Sequence, residues 1–206
     1  MGFAAVLIPQ LTEPDTEIPI TRADASWIEC VLPLSCPVGC IISGIAMDGY
    51  GRRIMLIVSQ IPMFAGWLYT GFARDSQALI IGRAITGLGC GMAMGPPRAY
   101  CTEISLPNMR AVIGSFSYMA ICIGITMQAG LGVFIYWKNV CYTCSAVTFL
   151  SFCSFTLLPE TPYFILLHKN EQEARDSLAK FRGKHYNIDR EMEQLRDFKA
   201  TSDLRT

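Results

Sequence analysis

Five long apolar stretches follow one another along the chain and are separated by short polar segments. They cover residues 26–47, 54–73, 78–100, 111–136 and 139–158. Each is about twenty residues long, which is the length that an α-helix needs to cross the hydrocarbon core of a bilayer. Because the connections are short, neighbouring helices run antiparallel. The pattern therefore predicts an all-α, polytopic membrane protein.

A sixth apolar stretch, residues 1–11, is too short to span a bilayer. It lacks the basic n-region and the cleavage site of a secretory signal peptide. Its sixth residue is Val6, whereas N-myristoylation requires Ser or Thr there. We interpret this stretch as the end of a helix whose beginning is missing.

Charged residues are concentrated after the last apolar stretch. Residues 159–206 contain nine Lys or Arg and nine Asp or Glu, about half of all the charges in the chain. Apolar positions recur at helical spacing in 171–181 and 188–198, which predicts two short amphipathic helices. The pattern predicts a membrane domain over 1–158, an intracellular helical segment over 159–199 and a disordered tail over 200–206.

Basic residues between the spans are distributed asymmetrically. One side of the predicted membrane carries Arg52, Arg53, Arg110 and the nine basic residues of the C-terminal segment. The other side carries Arg22, Arg74 and Lys138. Short loops rich in Lys and Arg stay in the cytosol. This predicts an integral membrane protein whose C-terminal tail is cytosolic. We expect it in the plasma membrane.

Composition narrows the possible functions. Mean hydropathy is +0.34, and the net charge is zero, so nucleic acid is not an expected partner. Among the nine cysteines, Cys141 and Cys144 have no histidine near them at ligand spacing, so no metal or other cofactor is expected. No nucleophile and base occur at catalytic spacing, and we therefore expect no enzyme.

Glycines inside the third apolar stretch point to close helix packing. Gly87, Gly91 and Gly95 are four residues apart and therefore share one helical face. In lipid, a smooth glycine face lets two helix backbones approach and gain dispersion contacts.

In the same stretch, Arg83 places a charge within the span, which is costly unless the side chain is paired or reaches the membrane surface. Near the extracellular end Arg83 can snorkel outwards, and we expect it to have a purely structural role.

The connection between the first two full spans carries the most specific motif. It reads Gly44-x-x-x-Asp48-x-x-Gly51-Arg52-Arg53. Gly51 permits a tight turn, and Asp48 is positioned to pair with an arginine and to accept hydrogen bonds from helix N-terminal amides. This spacing resembles the loop signature of the major facilitator superfamily.

Further motifs resemble the sugar-porter branch of that superfamily, including its insect trehalose-transporter-like members. The resemblance extends to about residue 198 and rests on several motifs in a fixed order. They are Gly82-Arg83 with the glycines that follow, Tyr100-x-x-Glu103 and Arg110, Pro159-Glu160-Thr161-Pro162, and Glu173-Ala174-Arg175 with Phe181-Arg182-Gly183.

The chain also departs from the family pattern at three positions. Ala111 follows Arg110 where the family usually has glycine, and Arg98 precedes Tyr100 by two residues where proline is usual. Tyr118 occupies the position, eight residues after Arg110, at which a sugar-contacting glutamine is usual. A tyrosine can hydrogen-bond a hydroxyl and stack on a sugar ring, but it cannot imitate a two-ended amide. These departures leave the substrate open.

The resemblance implies a transporter with two six-helix halves that bind the substrate between them and work by alternating access. The chain supplies helices two to six, part of helix one and the intracellular helices, so the missing C-terminal half is an implied partner. The implied function is facilitative transport of a small neutral sugar, hexose or trehalose-like, across a lipid bilayer. The alternative is a non-transporting half-transporter that acts as a binding or regulatory membrane partner.

Two sets of candidate residues follow from this resemblance. Gln128 and Tyr118 lie on the fifth helix, about 80° apart on a helical wheel, where both can border a central cavity. For Gln128, a hydrogen bond to a neighbouring helix is the alternative role. In the family, cytosolic charges form salt bridges that hold the inner side closed. The corresponding residues are Asp48, Arg52, Arg53, Glu103, Arg110, Glu160 and Arg175.

Overall fold

The computed structural model describes residues 2–12, 18–105 and 109–168, together with residues 172, 173, 175, 177, 178 and 192. The regular elements of this part are α-helices, and no strand occurs in it. The helices are α1 (Gly2–Thr12), α2 (Arg22–Tyr50), α3 (Arg52–Gly71), α4 (Ser76–Met92), α5 (Pro96–Ile104), α6 (Arg110–Phe134), α7 (Trp137–Thr156) and α8 (Pro162–His168). The predicted all-α architecture is confirmed. Of the first predicted amphipathic helix, residues 172, 173, 175, 177 and 178 are described, and of the second only residue 192; the predicted disordered tail lies outside the described residues.

Four helical segments in the described part of the chain are long and apolar enough to cross a membrane: α2, α3, α6, and α4 together with α5. The last of these is interrupted after Met92, because Pro96 and Pro97 lack the backbone N–H that would continue the helix. The fifth predicted stretch forms α7, which has 20 residues but is more polar than the other four. The first forms α1, with 11 residues.

A capping box begins α2 four residues earlier than the apolar pattern indicates. The Thr21 hydroxyl accepts a hydrogen bond from the Asp24 backbone N–H at 3.2 Å, and an Asp24 carboxylate oxygen accepts one from the Thr21 N–H at 3.0 Å. This exchange satisfies two N–H groups that would otherwise have no partner at the helix start. Polar capping therefore lengthens α2 beyond its apolar stretch.

Glycines on two faces of α4 hold it between α2 and α3. A Cβ atom at Gly91 would meet the carbonyl oxygen of Cys36 in α2. On the other face, a Cβ atom at Gly89 would lie 2.6 Å from the backbone nitrogen of Met63 in α3. Gly87 also packs against α2, at Leu32. The absence of side chains at these positions is what lets three backbones approach one another.

Gly95 differs from the two glycines with which the sequence grouped it. It lies at the N-cap of α5, beyond the end of α4, and is exposed. A Cβ atom there would have an ordinary contact, 3.9 Å from the Ser43 hydroxyl. Gly95 therefore faces α2 only at ordinary contact distance, and the close backbone approach to α2 occurs at Gly87 and Gly91.

A buried apolar cluster joins α1, α2, α4 and α7 at one end of the bundle. Trp137 and Leu79 are completely buried in it, and the Phe3 ring packs edge-on against Trp67 at 5.2 Å. Gln10 of α1 fastens the connection between α6 and α7. Its amide nitrogen donates to the carbonyl of Gly132 at 3.0 Å, and its amide oxygen accepts from the N–H of Trp137 at 2.8 Å. The side-chain amide of Gln10 thus forms hydrogen bonds with backbone groups at the end of α6 and at the start of α7.

The helix α6 is the least covered element of the bundle. Among its described residues only Gly132 is buried, where Val6 of α1 packs against it. Large apolar side chains such as Phe116 and Val133 are exposed along its length. An apolar helix of 25 residues with one buried position needs either lipid or another protein surface around it.

Candidate functional site

Charged side chains gather at the end of the bundle where α2 turns into α3. We call this region, made of Arg52, Arg53, Glu103, Arg110 and Glu160, the charged end. Its ion pair joins Arg52 at the start of α3 to Glu103 in α5, with Nε and Oε1 2.7 Å apart. Both side chains are largely buried, at 15% and 17% exposure. Limited access to water makes this pair stronger than a surface pair.

Gly51 makes the turn that positions the charged end. Its backbone has φ 94° and ψ 163°, a conformation that is essentially restricted to glycine. A Cβ atom here would also lie 2.9 Å from Oε2 of Glu160 and from the Phe164 ring. The turn therefore needs glycine for its backbone angles and for the space that it leaves to the following segment.

Glu160 caps the start of α3, the role that the sequence motif suggested for Asp48. Its Oε1 accepts from the Arg53 backbone N–H and from the Thr161 N–H, each at 3.1 Å. The Arg53 guanidinium donates to the Thr156 carbonyl at 2.7 Å. A carboxylate at a helix N-terminus is stabilised by the helix dipole. Asp48 is exposed and forms no ion pair with any residue that the structure describes.

Aromatic residues complete the charged end. The Arg110 guanidinium donates to the Tyr163 hydroxyl at 2.7 Å and lies 5.7 Å from the centre of its ring. The Arg52 guanidinium lies 5.8 Å from the Phe164 ring, and the Tyr100 hydroxyl donates to the Pro159 carbonyl at 2.8 Å. Tyr100 belongs to a motif visible in the sequence. Tyr163 and Phe164 were not predicted, because no local pattern distinguishes them from other aromatic residues.

The segment after α8 also reaches the charged end. The Ser177 hydroxyl donates to the Glu160 carbonyl at 3.0 Å, and Leu178 and Met192 pack with Ile165 and Leu166 of α8 in a small buried cluster. Arg175 is exposed.

The two residues predicted to border a substrate cavity point in different directions. Gln128 is half-buried, and its amide nitrogen lies 3.5 Å from Sγ of Cys144 in α7. Tyr118 is 56% exposed, and its hydroxyl accepts a hydrogen bond from Nη1 of Arg98 in α5 at 2.8 Å. Gln128 therefore has the contact to a neighbouring helix that a polar group in lipid needs. Tyr118 lies on the exposed side of α6, which we call the open side of this helix.

Arg83 is buried inside the bundle and does not snorkel outwards, which the sequence allowed. Only 2% of its surface is exposed, and its Nε donates to the Ile28 carbonyl at 3.4 Å. The guanidinium lies 5.4 Å from the centre of the Phe3 ring. It lines a cavity of about 230 Å³ together with Ala4, Glu29, Leu32 and Pro33. The side chain stays inside the bundle because α1 covers this part of α4, and no feature of α4 itself indicates that cover.

The described residues contain no group of three or more His, Cys, Asp or Glu side chains placed to hold a metal ion. The cysteines in this part of the chain are free thiols, with Cys141 buried and Cys144 partly buried in α7.

Solved structures define the fold. The chain superposes on the major facilitator superfamily proton:xylose symporter XylE with a TM-score of 0.81 and 17% identity, covering 98% of this chain and 48% of that one. An inward-open form of XylE from E. coli gives a TM-score of 0.77 over 95% of this chain and 50% of that one. The fold is a partial major facilitator bundle.

The family follows from the sequence comparisons. The model described as "Sugar (and other) transporter" matches residues 3–205, and the chain belongs to this family, which consists of transporters and not of enzymes. The facilitated trehalose transporter Tret1 of Apis mellifera ligustica is 29% identical over 184 residues, which is 89% of this chain and 37% of that protein. The facilitated glucose transporter member 6 of solute carrier family 2 from Homo sapiens is 27% identical, covering 95% of this chain and 40% of that protein.

The chain thus spans well under half the length of these curated relatives. Its family, together with the four long apolar helical segments of its described part, makes it an integral membrane protein.

Proposed function

We propose that the protein carries a sugar across a membrane by alternating access, as the N-terminal half of a major facilitator transporter. The observation that carries the proposal is the open side of α6, where an apolar helix bears Tyr118 on its uncovered surface. An exposed tyrosine whose hydroxyl is bonded to the Arg98 guanidinium suits a water-filled path between two halves better than lipid. A second six-helix half is the proposed cover.

The proposed substrate is a small neutral sugar, a hexose or a disaccharide such as trehalose. The names of two relatives, a trehalose transporter and a glucose transporter, support this substrate class. Transport is proposed to be facilitative, because no acidic residue lies at the middle of α2: Glu29 is in its first third, at the cavity that Arg83 lines, and Asp48 is in its last turn. Tyr118 is the better-placed substrate ligand, because it is exposed, whereas Gln128 is half-buried with its amide nitrogen directed at Cys144.

We also propose that the charged end faces the cytosol and that the protein resides in the plasma membrane. Arg52, Arg53 and Arg110 all lie at this end, as the positive-inside rule requires of the cytosolic side. The segment that follows α8 is then cytosolic as well, since Ser177 contacts Glu160 there.

The test begins with the full-length transcript and the complete polypeptide that it encodes. Reconstituted into proteoliposomes, this polypeptide is expected to take up labelled glucose or trehalose in a saturable manner, and preloaded unlabelled sugar is expected to accelerate the uptake by counterflow. Binding without flux would favour the non-transporting half-transporter. The absence of both binding and flux would refute the proposal.

Breaking the Arg52–Glu103 ion pair is expected to open the charged end. We propose that this pair, with Arg53, Arg110, Glu160 and their contacts, forms a latch that holds the inner side closed. Glu103→Gln removes the charge and keeps the shape, so the ratio of inward-open to outward-open protein should rise roughly tenfold, as for a loss of about 1.4 kcal/mol. Labelling of cysteines introduced on either side reports this ratio.

The matched control for the latch is Asp48→Asn. It removes one carboxylate from the same end of the bundle, where Asp48 has no ion pair with a described residue. We expect its accessibility ratio to equal that of the unmodified protein. Equal ratios for Glu103→Gln and Asp48→Asn would contradict the latch.

A further inference from the structure

Two of the positions at which this chain departs from the sugar-porter pattern contact each other. Arg98 stands where proline is usual, and Tyr118 stands where a glutamine is usual. Nη1 of Arg98 donates to the Tyr118 hydroxyl at 2.8 Å, and the guanidinium carbon lies 5.4 Å from the centre of the tyrosine ring. The two departures, 20 residues apart in the chain, therefore form a single unit between α5 and α6.

This unit lies within the membrane-length part of the helices. Arg98 precedes Glu103 by five residues, and Tyr118 follows Arg110 by eight residues. At 1.5 Å of rise per residue, the pair lies roughly 7–12 Å into the bundle from the charged end. Both side chains are exposed on the open side of the bundle, where the proposed function places the substrate path.

The positive charge of Arg98 is not compensated by the part of the chain that the structure describes. Arg98 forms no ion pair with a described carboxylate. It also lies in the first turn of α5, immediately after Pro96 and Pro97, where the helix dipole disfavours a cation. A positive charge at such a position, inside a span, gains most from an anion that binds beside it.

The hydrogen-bonding chemistry of the unit favours a carboxylate over a hydroxyl. A guanidinium has only donors, and the Tyr118 oxygen already accepts from Arg98, which leaves its own hydrogen free to donate. Glutamine would offer both a donor and an acceptor to a sugar hydroxyl. The Arg98–Tyr118 unit offers donors and a positive charge, which match an ionised acid.

We propose that Arg98 and Tyr118 form a subsite for an acidic group, which extends the substrate range from neutral sugars to sugars that carry a carboxylate, such as hexuronates. This inference rests on the proposed function, because it requires the open side of α6 to line the substrate path. The guanidinium binds the carboxylate, the tyrosine hydroxyl donates a second hydrogen bond, and the tyrosine ring lies against the sugar.

Competition between D-glucuronate and labelled D-glucose tests the subsite. The two sugars differ only at C6, where one has a carboxylate and the other a hydroxymethyl group. In proteoliposomes containing the complete polypeptide, glucuronate is expected to inhibit glucose uptake, and Arg98→Gln is expected to weaken this inhibition roughly tenfold. In the same variant, the KM for glucose should change less than about threefold, since glucose has no carboxylate and loses no bond between two charged groups. Tyr118→Phe should weaken the inhibition by glucuronate by a smaller factor, because the positive charge of Arg98 remains.

Three results would overturn the subsite. The first is glucose uptake that glucuronate does not inhibit, which leaves the proposed function intact. The second is that Arg98→Gln weakens the binding of glucose and of glucuronate equally, as expected if Arg98 pairs with a carboxylate of the protein or with a lipid phosphate. The third applies if no sugar is taken up: glucuronate then fails to raise the melting temperature of the detergent-solubilised protein. If glucuronate raises it, and Arg98→Gln abolishes the effect, the subsite stands and only transport is refuted.

Discussion

Gly91→Ala is expected to push α4 away from α2 and to lower the stability of the bundle by about 1–3 kcal/mol, the usual cost of overpacking. The new methyl group would meet the carbonyl oxygen of Cys36 and lie 3.0 Å from the backbone nitrogen of Cys40. These are backbone atoms and cannot rotate away as a flexible side chain does. The shift would also strain the contact from Sγ of Cys40 to the Gly91 carbonyl, now 3.4 Å.

Thermal unfolding of the complete polypeptide in detergent measures this effect, with Gly44→Ala as the matched control. Gly44 lies in α2, and a Cβ atom there has no neighbour within 4 Å. The control should be neutral or stabilising by up to about 1 kcal/mol, because alanine favours a helix more than glycine does. If the two variants had the same melting temperature, the close contact between α2 and α4 would not be what holds them together.

Gly51→Ala is expected to disrupt the charged end as a whole. An alanine at φ 94° and ψ 163° is strained, at a cost of about 1–3 kcal/mol, and its methyl group would lie 2.9 Å from Glu160 and Phe164. If the backbone moves to relieve these contacts, the Arg53 N–H loses its bond to Glu160. We therefore expect both a lower melting temperature and greater access of water-soluble labels to the charged end.

The control for this turn is Gly49→Ala, two residues earlier. Gly49 lies in α2 and has no atom within 4 Å of an added Cβ, so the same substitution should leave the labelling unchanged and the melting temperature equal or slightly higher. A Gly51→Ala variant that labels at the same rate as Gly49→Ala would show that the turn does not depend on the conformation that only glycine adopts. Hydrogen exchange at the start of α3 gives an independent measure.

Several elements could be predicted because their causes are local. The length and hydrophobicity of the apolar stretches correspond to α2, α3, α6 and the α4–α5 segment. The glycine of the tight turn was visible from its spacing to Arg52 and Arg53, and its backbone is indeed one that glycine adopts. The end of α4 was not predicted at Met92, although Pro96 and Pro97 are local signals that could have revealed it.

The candidate site depends on contacts between distant segments. Glu160 caps α3 from 107 residues away, and the carboxylate nearest in sequence, Asp48, does not. Arg83 is buried because α1 lies over it. Neither result follows from periodicity, because a helical pattern shows which residues share a face but not which helix that face meets.

By itself, the sequence determined that this chain forms membrane-length helices joined by short turns, and its motifs indicated the family. Hydrophobicity, capping and glycine spacing act within a few residues, so they can be recognised along the chain. The tertiary structure alone decided that Glu160 meets Arg53 and that Arg98 meets Tyr118. Such pairs depend on the rotation and depth of each helix, which packing against its neighbours determines.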